Sequence, residues 1–390
     1  MRADLFDQLN ALPMFDHHCH NWRIMDEPFD LNGYRMMFTE AADTRTAPDI
    51  PNTVYYRWTI RELAKRFECE PTEGAVLEAR AALGHDAVAR LLMAEANVAE
   101  AVLDFGYAGR GADNYDVASM GARLGGAETW GALRLETVLQ ELIAQHDTAQ
   151  SVEEEFRRRL DANALRNERI VSLKSIVAYR TGLDIVQTSR AEAYSSFTAL
   201  KAEATAQGAV RINDKCFLDY FLGIALAWAN EEKFPFQFHT GFGDPSVFLR
   251  TGNPIMLRPA LENSAYADVP FVLLHAGWPY VREASYLASV YSNVYVDAGL
   301  AIPFAASEFP VIWRQLLSLA PTSKVLWSSD GFILPEHCWF AAVQGRRSLA
   351  VALDALVELN AISEDDVLPI ASAIVRDNAA RLYRVGGDSG

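Results

Sequence analysis

Phe234-Pro235-Phe236-Gln237-Phe238-His239-Thr240-Gly241 is a short apolar run that ends at a histidine and a glycine loop. Its length and bulky content read as a strand of a parallel sheet, buried on both faces. The same form recurs along the chain. Val269-Pro270-Phe271-Val272-Leu273-Leu274 ends at His275, and Asn293-Val294-Tyr295-Val296 ends at Asp297. Lys324-Val325-Leu326-Trp327-Ser328-Ser329 ends at Asp330. Earlier in the chain, Ile170 to Val177 carries Lys174, Trp130 to Leu135 ends near Glu136, and Ala99 to Phe105 includes Asp104. A first strand is predicted over 12–18, ending at the histidines of Asp16-His17-His18-Cys19-His20. Helical periodicity fills the gaps, near 137–166, 190–207, 215–231, 255–266, 280–290, 307–319, 337–358 and 364–384. Strands alternating with helices predict an α/β fold, and eight such units suggest a closed (β/α)8 TIM-type barrel. A doubly wound open sheet is the alternative. It would need a glycine-rich phosphate turn after an early strand, and the chain has none.

One stretch departs from the alternation. From about 52 to 97, Tyr55, Trp58, Ile60, Leu63 and Phe67, then Val76, Leu83, Val88, Leu91 and Leu92, recur at helical spacing, with Pro71 and Gly84 as breaks. This predicts a helical insertion after the first strand, forming a cap near the site within a single domain over 1–390. Gly106 to Gly126 reads as a loop.

Half of the 390 residues are hydrophobic, enough for a substantial core. Lys and Arg number 35 against 51 Asp and Glu, a net charge of −16. That balance argues against a nucleic-acid or anionic-membrane surface, and leaves a small molecule as the expected partner. The four cysteines form no CxxC pair, so neither a disulfide framework nor a thiolate zinc site is expected. Cys19 reads as core. With no apolar leader at Met1-Arg2-Ala3-Asp4-Leu5 and no run of membrane length, a soluble cytoplasmic protein is the expectation.

In a strand, side chains two apart share a face, so His18 and His20 can reach one ion from one side. With His239 and Asp330 they make three nitrogens and one oxygen, a set suited to zinc and also to manganese or iron. Such an ion lowers the pKa of a coordinated water from 15.7 to about 7, which supplies a nucleophile at neutral pH. Asp330 is the candidate proton acceptor, and His275 would orient or protonate the substrate. Lys174, inside an apolar strand, must pair or face a wet cavity. It would bind a substrate carboxylate or, carboxylated on its amine, bridge a second ion. One ion is favoured. Trp22, Tyr179, Arg180, Trp278 and Arg282 are the candidate substrate contacts; Arg250 and Arg258 share the strand-end position of the two arginines. Each residue has a bland reading as well: core histidines, a turn aspartate before Gly331, a strand-end lysine reaching solvent.

The ordered set resembles the amidohydrolase superfamily. It comprises Asp16 to His20, Lys174 to Asp184, His239 to Pro245, His275 to Tyr280, Ser328 to Gly331 and the closing Asn378-Ala379-Ala380-Arg381-Leu382. Within it the chain is most similar to the amidohydrolase-2 branch found fused to glutamine-synthetase-like domains in fungal and plant nodulin-type proteins. The resemblance covers nearly the whole chain. It implies a metal-dependent barrel enzyme, with the metal motif on His18, His20, His239 and Asp330, the sixth-strand histidine on His275 and the fourth-strand lysine on Lys174. It implies hydrolysis of a C–N bond in a small carboxylate-bearing compound, with γ-glutamyl amides suggested by the fused relatives. The superfamily also holds decarboxylases and uronate isomerases, so a non-oxidative decarboxylase or uronate-type isomerase is the alternative. A metal-stabilised binding protein is a third reading. The chain is expected to act without a fused synthetase, as a homo-oligomer.

Overall fold

Every residue of Met14–His20 is buried, histidines included, and this strand opens the architecture. The computed structural model describes residues 3–24, 29–106 and 114–385. Among them, β1 is Met14–His20, β2 Val98–Asp104, β3 Glu128–Arg134, β4 Ile170–Ser175, β5 Phe236–His239, β6 Phe271–Leu274, β7 Val294–Asp297 and β8 Val325–Leu326. They run in chain order, β1 to β8, through one eight-stranded sheet. The pairs β1–β2, β3–β4, β4–β5, β5–β6 and β6–β7 are parallel. Sequential parallel strands need a crossover each, and the helices supply them. This is the (β/α)8 TIM-type barrel that the strand–helix alternation predicts.

The chain divides into two compact units, Met1–Thr129 with Asp297–Gly390, and Trp130–Val296. In the first, the expected insertion between β1 and β2 is present as the helices Val54–Arg66, Glu73–Leu83 and His85–Ala96. Thr53 and Thr72 cap the first two by accepting from the amides of Tyr56 and Ala75. The insertion packs on Pro335–Glu358, the helix that follows Asp330. Tyr55 and Trp58 lie 5.3 and 5.5 Å from the Phe340 ring. Arg80 pairs with Glu336 at 2.5 Å, and both side chains are nearly sealed from water.

In the second unit, Phe236, Phe238 and Phe271 stack along β5 and β6, with centroids 4.4 and 5.6 Å apart. The predicted helical run 137–166 is three helices, Leu135–Gln145, Ala149–Arg159 and Ala162–Asn167, because Thr148 and Asp161 each cap a new start. The helix predicted over 255–266 is broken into the short turns Pro254–Leu257, Arg258–Leu261 and Ser264–Tyr266. Asn263 starts the third by accepting the amide of Ala265 on its side chain.

Strand ends also move. β1 continues to His20 rather than stopping at 18. β4 stops at Ser175 because the next amide, Ile176, bonds the Glu136 carboxylate instead of the ladder. β8 keeps only two residues, since Ser328 and Ser329 bond side chains of other segments. The glycine-rich stretch read as loop contains a helix, Val117–Arg123, started by Asp116 and anchored by buried Met120; residues 107–113 of that stretch lie outside the described residues. No described helix is long and apolar enough to cross a membrane.

Candidate metal centre

The first unit brings three predicted ligands together. His18 Nε2 and His20 Nε2 each lie 3.2 Å from Asp330 Oδ1, and all three side chains are largely buried. The two imidazoles meet edge to face, 5.1 Å between centroids. Four atoms at about 2.0 Å from a tetrahedral ion stand about 3.3 Å apart, so the observed separations are close to those of atoms sharing one ion. His20 Nδ1 lies 3.1 Å from the carbonyl oxygen of Asp104. A carbonyl only accepts, so Nδ1 donates and Nε2 of the neutral ring keeps its lone pair for an ion. Donor type, spacing and tautomer therefore fit a divalent cation.

Asp104 is a candidate that the sequence reading placed in a strand but did not single out. Its carboxylate, His18 and His20 offer ligand atoms within 4.8 Å of one another. The missed signal was the same one that marked Asp297 and Asp330, an acid at the end of a buried strand.

β1 does not hold these groups by simple alternation. Asp16 aligns with Ala101 but Cys19 with Leu103, so β1 carries an extra residue between them. Bulges of this kind re-aim side chains beside functional sites. Asp16 turns to the β8 loop: it accepts the Ser329 amide at 2.8 Å and the Ser329 hydroxyl on its other oxygen. Burial pushes its carboxyl up to about 6, although these hydrogen bonds act the other way. Ser328 donates to Asp297. His17 lies between Asp297 Oδ2 and the Tyr383 hydroxyl, 3.1 Å from each. Cys19 faces away, its thiol against the Val102 carbonyl, as expected of a core residue.

Asp330 itself has φ of +48°, a left-handed conformation uncommon outside glycine, asparagine and aspartate. A set of hydrogen bonds holds it there. Its amide donates to His18 O at 3.0 Å, and the His20 amide donates to Gly331 O at 2.8 Å. The Gly331 amide donates to Ser329 Oγ at 2.8 Å, and Ser329 is fixed by Asp16.

The second unit carries the other predicted residues. His239 ends β5, and its Nε2 lies 3.0 Å from Phe242 O. Its ring is 4.3 Å from that of Tyr179 and 4.5 Å from that of His275. His275 follows β6 with φ of +72° and is buried. Lys174 is buried in β4, in register with Arg134 of β3 and Gln237 of β5. Trp278 packs edge-on against Phe242 at 5.6 Å. The 242–244 loop comes so close to Tyr179 and His239 that a Cβ at Gly243 would collide with the Tyr179 hydroxyl. Arg180 is partly buried beside this loop's Asp244. Arg282 is exposed on the first turn of Val281–Val290. Trp22, in the first unit, is fully buried, its amide 3.3 Å from Met120 Sδ.

Comparison with known proteins agrees with this picture. Over 248 residues the chain is 34% identical to protein fluG of Emericella nidulans, a stretch covering 60% of this chain and 28% of the relative. The chain thus spans little more than a quarter of that protein's length. Among solved structures, a candidate metal-dependent hydrolase from Lactobacillus casei ATCC 334 is 27% identical, with a TM-score of 0.87 over 97% of both chains. A glucuronate isomerase from Caulobacter crescentus, at 15% identity, shares the fold with a TM-score of 0.66 over 99% of this chain and 94% of its own. The amidohydrolase family profile matches residues 178–385, more than half of the sequence. The chain belongs to the amidohydrolase family.

Proposed function

We propose that the protein is a metal-dependent hydrolase that cleaves an amide-type C–N bond in a small carboxylate-bearing compound. The observation that carries this reading is the meeting of His18 Nε2 and His20 Nε2 on Asp330 Oδ1. The family motif would add His239 as a further ligand. Zinc is the preferred ion, with manganese or iron as alternatives, one per chain. A divalent ion held there would supply a water whose pKa is lowered toward neutrality.

The chain's own groups do the rest. Asp330 takes a proton from the attacking water and returns it to the departing nitrogen, so water and amide give acid and amine. His275, beside His239, steadies the oxygen of the carbonyl under attack or protonates the leaving group. Lys174, sealed within β4, binds carboxylate or, carboxylated, admits a second ion. Tyr179, Arg180, Trp278 and Arg282 are the substrate contacts of the second unit. The helical insertion, latched to the helix after Asp330, is where substrate preference is set.

The test is a panel of amides, γ-glutamyl amides first, and of simple carboxylates, offered to the zinc- and manganese-loaded protein. Release of amine that disappears in Asp330→Asn supports the reading. Release of CO2 without amine replaces it by a decarboxylase. Turnover that survives Asp330→Asn undiminished removes Asp330 from the proton path.

A further inference from the structure

The second unit holds a partly buried guanidinium whose desolvation the described acids near it do not fully offset. Arg180 follows the turn Val177–Tyr179 after β4, with its own amide on Val177 O at 2.9 Å. Its Nε is sealed from water and has no hydrogen-bond acceptor among the described residues. The acid whose charge favours it most, Glu136, makes no hydrogen bond to that Nε: one oxygen accepts from Ser175 Oγ at 2.7 Å and from the Ile176 amide at 3.0 Å, and the other, also buried, has no hydrogen-bond partner among the described residues. A second guanidinium is drawn in, for Arg211 Nη2 donates to the carbonyl of Tyr179 at 2.9 Å. Burial, and then the charge of Arg211, bring the Arg180 pKa down to about 10, against the pull of Glu136; Arg134 adds to the lowering and Asp244 opposes it. Even so, the group stays charged at neutral pH. A desolvated cation with a free donor and a second cation for a neighbour is stabilised by an anion arriving from outside.

We propose that Arg180, assisted by Arg211, is the anchor of an oxyanion subsite that takes a carboxylate which the substrate keeps through the reaction. The inference rests on the hydrolase reading and adds where the carboxylate sits and what it does there. The fork of a guanidinium matches the two coplanar oxygens of a carboxylate. Tyr179, one residue earlier, sets its ring 4.3 Å from the His239 ring. An anion on Arg180 is therefore held by a guanidinium one residue from the ring that contacts His239, and not by the imidazoles. The carboxylate is a handle, not the group that is cut, and the substrate class is an acid whose amide lies at the other end of a short chain. Glu136, tied to the start of the same turn, is a positioning residue that keeps the turn in place.

Glutarate is a suitable probe, because it carries the carboxylate and no cleavable bond. It is titrated by calorimetry into the intact metal-loaded protein, into Arg180→Gln, Arg180→Lys and Arg211→Gln, and into Arg158→Gln as a surface control, with melting temperature and metal content measured for each. The expected result is a Kd raised roughly tenfold or more in Arg180→Gln. Arg180→Lys recovers part of the loss, Arg211→Gln shows a smaller one, and the surface control shows none. A folded Arg180→Gln that binds glutarate as the parent does overturns the proposal. So does a parent protein that fails to bind glutarate, or one that prefers inorganic phosphate. The readout needs no turnover. Arg180-dependent binding in a protein that releases no amine keeps the subsite and removes the hydrolase reading; amine release with glutarate binding indifferent to Arg180 does the reverse.

Discussion

Asp16 and Ser329 are joined twice, by the serine amide to one carboxylate oxygen at 2.8 Å and by the serine hydroxyl to the other. The pair welds β1 to the loop that carries Asp330, so the distance from histidines to aspartate is set by a bond that touches neither. Ser329→Ala should therefore loosen the centre without removing a ligand. The expected outcome is a zinc affinity about 10–100-fold weaker together with a stability loss of about 1–3 kcal/mol. Calorimetric zinc titration and urea unfolding check both. An unchanged zinc Kd would show that the loop holds its shape without the weld.

Adjacent histidines should behave differently. His18→Ala and His20→Ala each remove a nitrogen facing Asp330 and should bring bound metal to well under one ion per chain. His17→Ala removes the partner of Asp297 and Tyr383. It should cost about 1–3 kcal/mol of stability while the purified protein keeps its ion. Elemental analysis of the three variants beside the parent separates the two roles.

The Arg80–Glu336 pair ties the helical insertion to the helix behind Asp330. Burial alone would raise the Glu336 pKa, but the Arg80 charge and hydrogen bond bring it below the ordinary carboxylate value. Arg80→Met should destabilise the protein by about 3–5 kcal/mol at neutral pH, since it leaves a buried carboxylate uncompensated. A carboxyl depressed in the folded state contributes stability above its unfolded pKa and loses it as pH falls through the folded one. The gap between parent and variant should accordingly narrow as pH is lowered below the usual glutamate range. Urea unfolding across that range measures it.

Thiol chemistry offers a direct check on burial. Cys216 is exposed and Cys69 partly so, whereas Cys19 and Cys338 are buried. Burial pushes the Cys338 thiol up to about 12 and Cys19 well above its usual value. Ellman's reagent at neutral pH should label Cys216 fastest and Cys69 more slowly. Cys19 and Cys338 should react only after denaturation. Rapid native labelling of Cys338 would contradict the packing behind Ser329.

The parts of the fold that announce themselves are those in which local pattern and burial agree. Phe236–His239 and Phe271–Leu274 are apolar runs between breaks, and the insertion helices repeat at three- and four-residue spacing. The candidate ligands stand out for the same reason: each is an acid or imidazole at the end of a buried strand. What stays hidden depends on groups far apart in the chain. Nothing near Ser329 says that its hydroxyl will meet Asp16, and nothing in β1 announces a residue inserted between Asp16 and Cys19. The role of Asp104 needs the carbonyl of its own residue to meet His20, a contact with no local signature. The helix Val117–Arg123 is concealed because its apolar content is only one buried methionine and small residues.

The bond between Asp16 and Ser329 spans 313 positions of sequence, and the unit that contains it is assembled from two stretches separated by the whole of the second unit. During synthesis the histidines of β1 leave the ribosome long before the loop that must hold them. Contacts of such separation bear the largest loop-closure cost and come late in folding. Uptake of a tightly held ion should accordingly be among the last events of maturation, and chains truncated before Ser329 should emerge without it.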